Sequence, residues 1–92
     1  MVNIDPIVIW KNGNNITCNI LQVHIKDNCK DRSDVFYALG YKSDIDNETT
    51  IVMHMNGGLT ILGAEYQNWT NDPDSNAWIY NWAAEKLNLT IL

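Results

Sequence analysis

Basic residues, proline, phenylalanine and cysteine are all scarce in this chain: six Lys and Arg stand against eleven Asp and Glu, with two Pro, one Phe and two Cys in 92 residues. Each shortage excludes something. A net charge of −5 cannot neutralise a phosphate backbone, which argues against nucleic acid and anionic membranes as partners. Only "KDNCKDRS" groups basic residues, and there Asp27 and Asp31 offset them. No apolar run approaches the roughly 18 residues of a membrane helix. The opening "MVNIDPIVIW" has neither a basic segment nor an apolar run before a small-residue cleavage site, so no signal peptide is expected. Cys18 and Cys29 then read as free thiols of a reducing compartment, with a disulfide as the lesser alternative. Asn-x-Ser/Thr triplets start at Asn15, Asn47, Asn68 and Asn88, but glycosylation needs a secretory route that this N-terminus does not provide.

Catalytic and metal motifs are equally sparse. No C-x-x-C or H-x-x-x-H spacing brings His24, His54, Cys18 and Cys29 together, so they do not predict a zinc site. Cys29 lies near Lys30 and Arg32, which favour a thiolate, yet nothing places a histidine base beside it. The loops "SDIDNE" and "NDPDSN" lack the central glycine and closing glutamate of a calcium loop; Asp44 and Asp46 read as solvated turn residues. Glu65 is the one acid embedded among aromatics, and a position at a helix start suits its charge. Gly57, Gly58 and Gly63 fit turns and not a phosphate loop. No catalytic residue, metal or cofactor is expected.

What is present is an architecture. Four Trp and four Tyr are many for one small domain, and each buries roughly 150 to 250 Å² when packed. Ile7 to Trp10 read as an edge strand after Pro6, "KNGNN" as a tight turn, and "ITCNILQVHI" as a longer strand. The apolar phase of that strand switches midway: Ile16, Cys18 and Ile20 share one parity, Leu21, Val23 and Ile25 the other. Such a switch predicts a bulge or a strand crossing between packing layers. "DVFYALGY" is apolar on both parities and reads as a central strand. The "KSDIDNE" loop leads to the strand "TTIVMHM", and "NGG" reads as a turn into a short fifth strand, "LTIL".

The last third changes period. "GAEYQNW" fits one or two helical turns, with Tyr66 and Trp69 on one side. "NDPDSNAWIYNWAAEKLN" is a helix, with Asp72 as cap, Pro73 at its first position, Ile79, Trp82, Ala83 and Leu87 as its inward stripe, and Asn88 at its end. The reading is therefore one α+β domain over 1–92, β-rich to residue 62 and helical from 63. Its fold is an antiparallel meander or small sandwich of about five strands with a C-terminal helix on one face. Trp10, Phe36, Ile51, Met53, Leu59, Tyr66, Trp69, Trp82 and Leu87 are the expected packing residues. Five strands span about 24 Å and a helix only 10 to 12 Å, so one face stays open unless the sheet folds over. Tyr37, Leu39, Tyr41 and Val52 are the candidates for an interface there, and open edge strands invite pairing with another chain.

The C-terminal run, a strand ending in Leu59 to Leu62, then Glu65-Tyr66 and Trp69, an acidic gap, and a helix with Trp82 closing on Lys86-Leu87-x-Leu89, resembles small virion-structure proteins of tailed bacteriophages. The resemblance covers about the last forty residues. It implies a non-enzymatic component of the capsid decoration, neck or tail, located in the virion after assembly in the host cytoplasm. Its implied partners are other virion proteins or further copies of itself, and it brings no catalytic residues to transfer. Pro73 departs from the pattern by lengthening the joint before the helix. The competing expectation is a small acidic phage-encoded inhibitor that binds a host protein through Asp44, Asp46 and Glu48.

Overall fold

A computed structural model describes residues 1–28 and 32–92. In the described residues, strands β1 (Val2–Lys11), β2 (Asn14–Asn28), β3 (Arg32–Ile45) and β4 (Glu48–Leu62) precede helices α1 (Gly63–Thr70) and α2 (Ser75–Lys86). The strands form one antiparallel sheet in the order β1-β2-β3-β4. The fold is α+β as expected, with four strands in place of five.

The difference lies at Asn56-Gly57-Gly58. These residues do not turn; they stay in β4, opposite Ala38, Tyr37 and Phe36. Glycine in a strand is as consistent with close approach by a neighbour as with a turn, and here the Tyr37 side chain occupies the space over Gly57. Among the described residues, two tight reversals lie elsewhere. Asn12-Gly13 (φ 52° and 79°) joins β1 to β2 as expected, and Asp46-Asn47 (φ 52° and 64°) joins β3 to β4. Left-handed φ at both central residues is the signature of the two-residue hairpin turn. "KSDIDNE" is thus mostly strand, with a two-residue turn inside it.

The phase switch in β2 is a change of partner. β1 pairs with Asn14 to Leu21, whereas β3 pairs only from Ile20 onward. Ile20 and Leu21, adjacent in sequence and pointing to opposite faces, are both fully buried. Above this crossing the β1–β2 hairpin and the β3–β4 hairpin separate. Where they part, the Asn19 amide bonds Lys42 on both sides: its Nδ2 donates to the Lys42 carbonyl at 3.0 Å and its Oδ1 accepts from the Lys42 N–H at 2.8 Å. A side-chain amide here does the work of the peptide group that β2 has withdrawn.

Both helices cover the same face, over the half of the sheet below the crossing. Leu21, Val23, Val35, Leu39 and Ile61 from the strands pack with Tyr66, Trp69, Ile79, Tyr80, Trp82, Ala83 and Ala84. β1 reaches no further along β2 than Leu21, so the Val23 N–H has no strand beside it; the Tyr80 hydroxyl accepts it at 3.2 Å. Gly63 leaves the sheet with φ 64° and opens α1. Asp74, not Asp72, caps α2, accepting from the Ala77 N–H at 3.1 Å. Asp72 instead accepts from the Asp74 N–H, so Pro73 lies in the preceding turn and not in the helix. Asn88 (φ 56°) ends α2, with Leu89 N–H bonded to Ala84 O and Asn88 N–H to Glu85 O, the paired bonds of a Schellman motif.

Candidate interaction surface

Helix length decides which part of the sheet is covered. The 12 residues of α2 span about 18 Å, whereas the 15 residues of β4 span about 50 Å if straight. The helices reach the end near Ile61 and leave the hairpin around Asp46-Asn47 bare, so every residue from Glu48 to Met53 is exposed.

The positions of the expected packing residues follow. Tyr66, Trp69 and Trp82 are buried, and Leu59 and Leu87 are half-buried against the core. Phe36, Ile51 and Met53 are corrections. Their register partners His24, Lys42 and Gly40 place them on the face away from the helices. Phe36 is half-buried there, stacked on His24 with ring centroids 5.4 Å apart, while Ile51 and Met53 are 44% and 39% exposed. Trp10, also expected inside, is 72% exposed because the end of β1 lies beyond the helices. Among the expected interface residues, Leu39 is a correction: it shares the helix-side face with Tyr37, and α1 and α2 bury it. Tyr37 is half-buried; Tyr41 and Val52, on that face but past the helices, are exposed.

The free end of the β1–β2 hairpin comes back against the middle of β4. A cleft of about 420 Å³ between them is lined by Ile9, Trp10, Lys11, Met53, His54, Met55 and Asn56. Its wall contains a bulge. Leu39 pairs with Met55 and Gly40 with Met53, so His54 is left without a register partner on β3. Lys11 Nζ from the other hairpin donates to the His54 carbonyl at this bulge. Gly40 is required beside the bulge, since a Cβ there would stand 2.5 Å from the Val52 carbonyl oxygen and 2.6 Å from Met53 Sδ.

The sheet's two edges differ. The N-terminal half of β1 carries Pro6 and a register shift between Asn3 and Ile7, and it is covered by the chain's last residues: Ile4 bridges Ile91, Asp5 N–H donates to Thr90 O and Leu92 N–H to Asn3 O. Such features close an edge to further pairing. β4 has no strand on its outer side among the described residues, and from Thr49 to Leu62 it contains no Asp, Glu, Lys, Arg or Pro. Its acids gather at the hairpin end, where Asp44, Asp46 and Glu48 are exposed and Thr49 Oγ1 donates to Asp44 Oδ1 at 2.5 Å. Sequence reasoning identified open edges in general; the Pro6 and Lys11 of one strand against their absence in the other was the signal for which edge.

The remaining candidates for chemistry are separate from one another. Glu65 lies in the first turn of α1 and ties it to α2, accepting from Trp82 Nε1 at 2.5 Å with Lys86 Nζ at 3.4 Å. Cys18 is a buried free thiol whose pKa is pushed up by burial, with Lys11 pulling the other way. Cys29, with its neighbours Lys30 and Asp31, lies outside the described residues. Among the described residues no group of three or more His, Cys, Asp or Glu side chains converges, and no helix is long and apolar enough to cross a membrane. Compared with protein-family models, curated sequences and solved structures, the chain matches none of them.

Proposed function

We propose that this protein is a non-enzymatic structural component of a bacteriophage particle, held in place by strand pairing along β4. The observation that supports this reading most directly is the outer edge of β4, long, uncharged and unpaired, next to a covered β1. Soluble domains ordinarily blunt such edges with Lys, Pro, a bulge or a covering segment; this chain covers β1, and on β4 the bulge at His54 leaves the regular stretch Glu48 to Met53 open. The apolar side chains on the bare hairpin, with Trp10 beside them, supply an area that a neighbour would desolvate. The virion setting comes from the resemblance of the C-terminal helical region. Its partners are then other virion proteins or further copies, with neither nucleic acid nor membrane required. Purified particles should contain the protein in fixed stoichiometry, and its absence from them would refute the reading.

A second reading draws on the acids instead. Asp44, Asp46 and Glu48 project together from the β3–β4 hairpin, as an inhibitor of a host protein would need. Capture of one host protein at low ionic strength, lost when all three acids are changed to lysine, would favour it over the first.

A further inference from the structure

We infer that two copies of this chain pair antiparallel through the outer half of β4, about a two-fold axis at Ile51, joining their four-stranded sheets into one. The inference rests on the proposed assembly role and names the partner. The argument begins at the Asp46-Asn47 turn. Residues flanking a two-residue hairpin loop form a hydrogen-bonded pair, and bonded and non-bonded pairs then alternate along the ladder. Ile45 and Glu48 flank this turn, and the register is regular from there to Gly40 and Met53. The backbone groups of Glu48, Thr50 and Val52 therefore face β3, whereas those of Thr49, Ile51 and Met53 face outward.

Those outward groups are self-complementary. With the axis at Ile51, each Ile51 pairs with its own copy and each Thr49 with Met53 of the second copy, giving about six main-chain hydrogen bonds. The two Ile51 side chains then lie side by side across the junction on one face, flanked by Met53 beside Thr49, and Val52 lies beside Thr50 on the other, burying apolar groups that the single chain leaves exposed.

Charge selects a second copy over a foreign strand. Two molecules of net charge −5 repel, and a junction centred on Ile51 joins them along Thr49 to Met53, a stretch with no charged side chain of its own. Glu48 lies three residues from the axis, about 10 Å along the strand. The two Glu48 carboxylates are then roughly 20 Å apart, about twice the Debye length at 0.1 M salt, and each falls opposite His54 of the second copy, so no acid faces an acid. A basic partner would be drawn to the acids at the hairpin end, Asp44, Asp46 and Glu48, and not to Thr49 to Met53, which offer it no charge. A neutral strand, apolar on both faces, is what the edge accepts, and β4 is itself such a strand.

The test is made on the full chain. Light scattering after size exclusion should give twice 10.5 kDa at tens of micromolar, and Ile51→Lys, which sets two like charges opposite each other, should return it to one chain with an unchanged circular dichroism spectrum. In a Cys29→Ser background, Ile51→Cys should oxidise to a covalent dimer under mild conditions, while Val8→Cys on the other edge should not. A monomeric parent at several hundred micromolar, or equal cross-linking at both positions, overturns the inference. If the parent is monomeric and Ile51→Lys nevertheless fails to enter particles, self-pairing is wrong and the assembly role stands with another partner. If the protein is dimeric and absent from particles, the assembly role falls and the pairing stands.

Discussion

Tyr37 lies across Gly57: a Cβ on that glycine would stand 2.5 Å from the tyrosine hydroxyl oxygen and 2.7 Å from the ring carbon that carries it. The two residues are register partners on β3 and β4, so an aromatic on one strand takes the place of the missing side chain on the other. Gly40 has a different neighbour, the Val52 carbonyl oxygen at 2.5 Å. A half-buried ring can swing away, whereas a backbone carbonyl in a ladder cannot. Gly57→Ala is therefore expected to cost less than about 1 kcal/mol, and Gly40→Ala about 1 to 3 kcal/mol as an overpacking change. Urea denaturation of both variants checks the order; a reversal would show that β4 yields at the bulge more easily than Tyr37 moves.

Tyr80→Phe keeps the ring and removes the hydroxyl that accepts the Val23 N–H. A buried backbone donor left unmade costs about 1 to 3 kcal/mol. The thermal midpoint should fall while the spectrum of the folded state stays the same. An unchanged midpoint would mean that water reaches Val23.

Trp82→Ala should cost roughly 3 to 5 kcal/mol, the usual loss for a buried aromatic truncated in a core, because the side chain is buried among α1, α2 and the sheet. Glu65→Gln removes the charge while keeping an acceptor for Trp82 Nε1 and should cost only about 1 kcal/mol. Chemical denaturation would check both, and a Trp82→Ala loss below 1 kcal/mol would contradict the packing.

Cys18 should be inert in the folded protein. Burial holds its thiol in the protonated form, and the thiolate is the reactive species. In a Cys29→Ser background, a thiol reagent at pH 8 should label nothing until denaturant is added, and then one site. Rapid labelling without denaturant would show that the β1–β2 hairpin opens on its own.

The fold was legible in the sequence where one physical requirement had one solution. Asn12-Gly13 could scarcely be anything but a tight turn, and Asn88 after a run of helix formers marked a C-terminus; the mid-strand phase change of β2 allowed a bulge or a crossing between layers, and the change of partner at Ile20 and Leu21 is what produces it. It was illegible where two solutions share a pattern. "NGG" serves a turn as well as a strand overlaid by an aromatic, and only the partner strand decides between them. In "DPDS" the proline pointed to Asp72 as the cap, because Pro suits the first helical position as well as a preceding turn, and Asp74 takes the role because its side chain reaches the Ala77 N–H.

The interface was half legible for the same reason. β3 and β4 are apolar on both faces, so periodicity grouped Tyr37, Leu39, Tyr41 and Val52 correctly on one face without revealing that the helices would take that side. The core assignments of Phe36, Ile51 and Met53 fell to the far face in consequence. Trp10 shows a related gap: hydrophobicity says that a side chain gains by burial, and the reach of α1 and α2 sets whether anything arrives to bury it.

The change of partner within β2 also orders the molecule in time. Residues Ile20 and Leu21 are the overlap of two ladders, with both faces covered, whereas the two hairpin ends are each held by a single neighbouring strand. Amide exchange should then proceed in two tiers: the hairpin ends first, with Thr49, Ile51 and Met53 pointing away from β3 and the bonded amides of Asn14 to Thr17, Thr50 and Val52 released by local fraying, and Ile20 to Val23 only when the whole domain unfolds. Pairing through β4 would slow exchange of Thr49, Ile51 and Met53 alone among the fast tier, leaving Thr17 as it was.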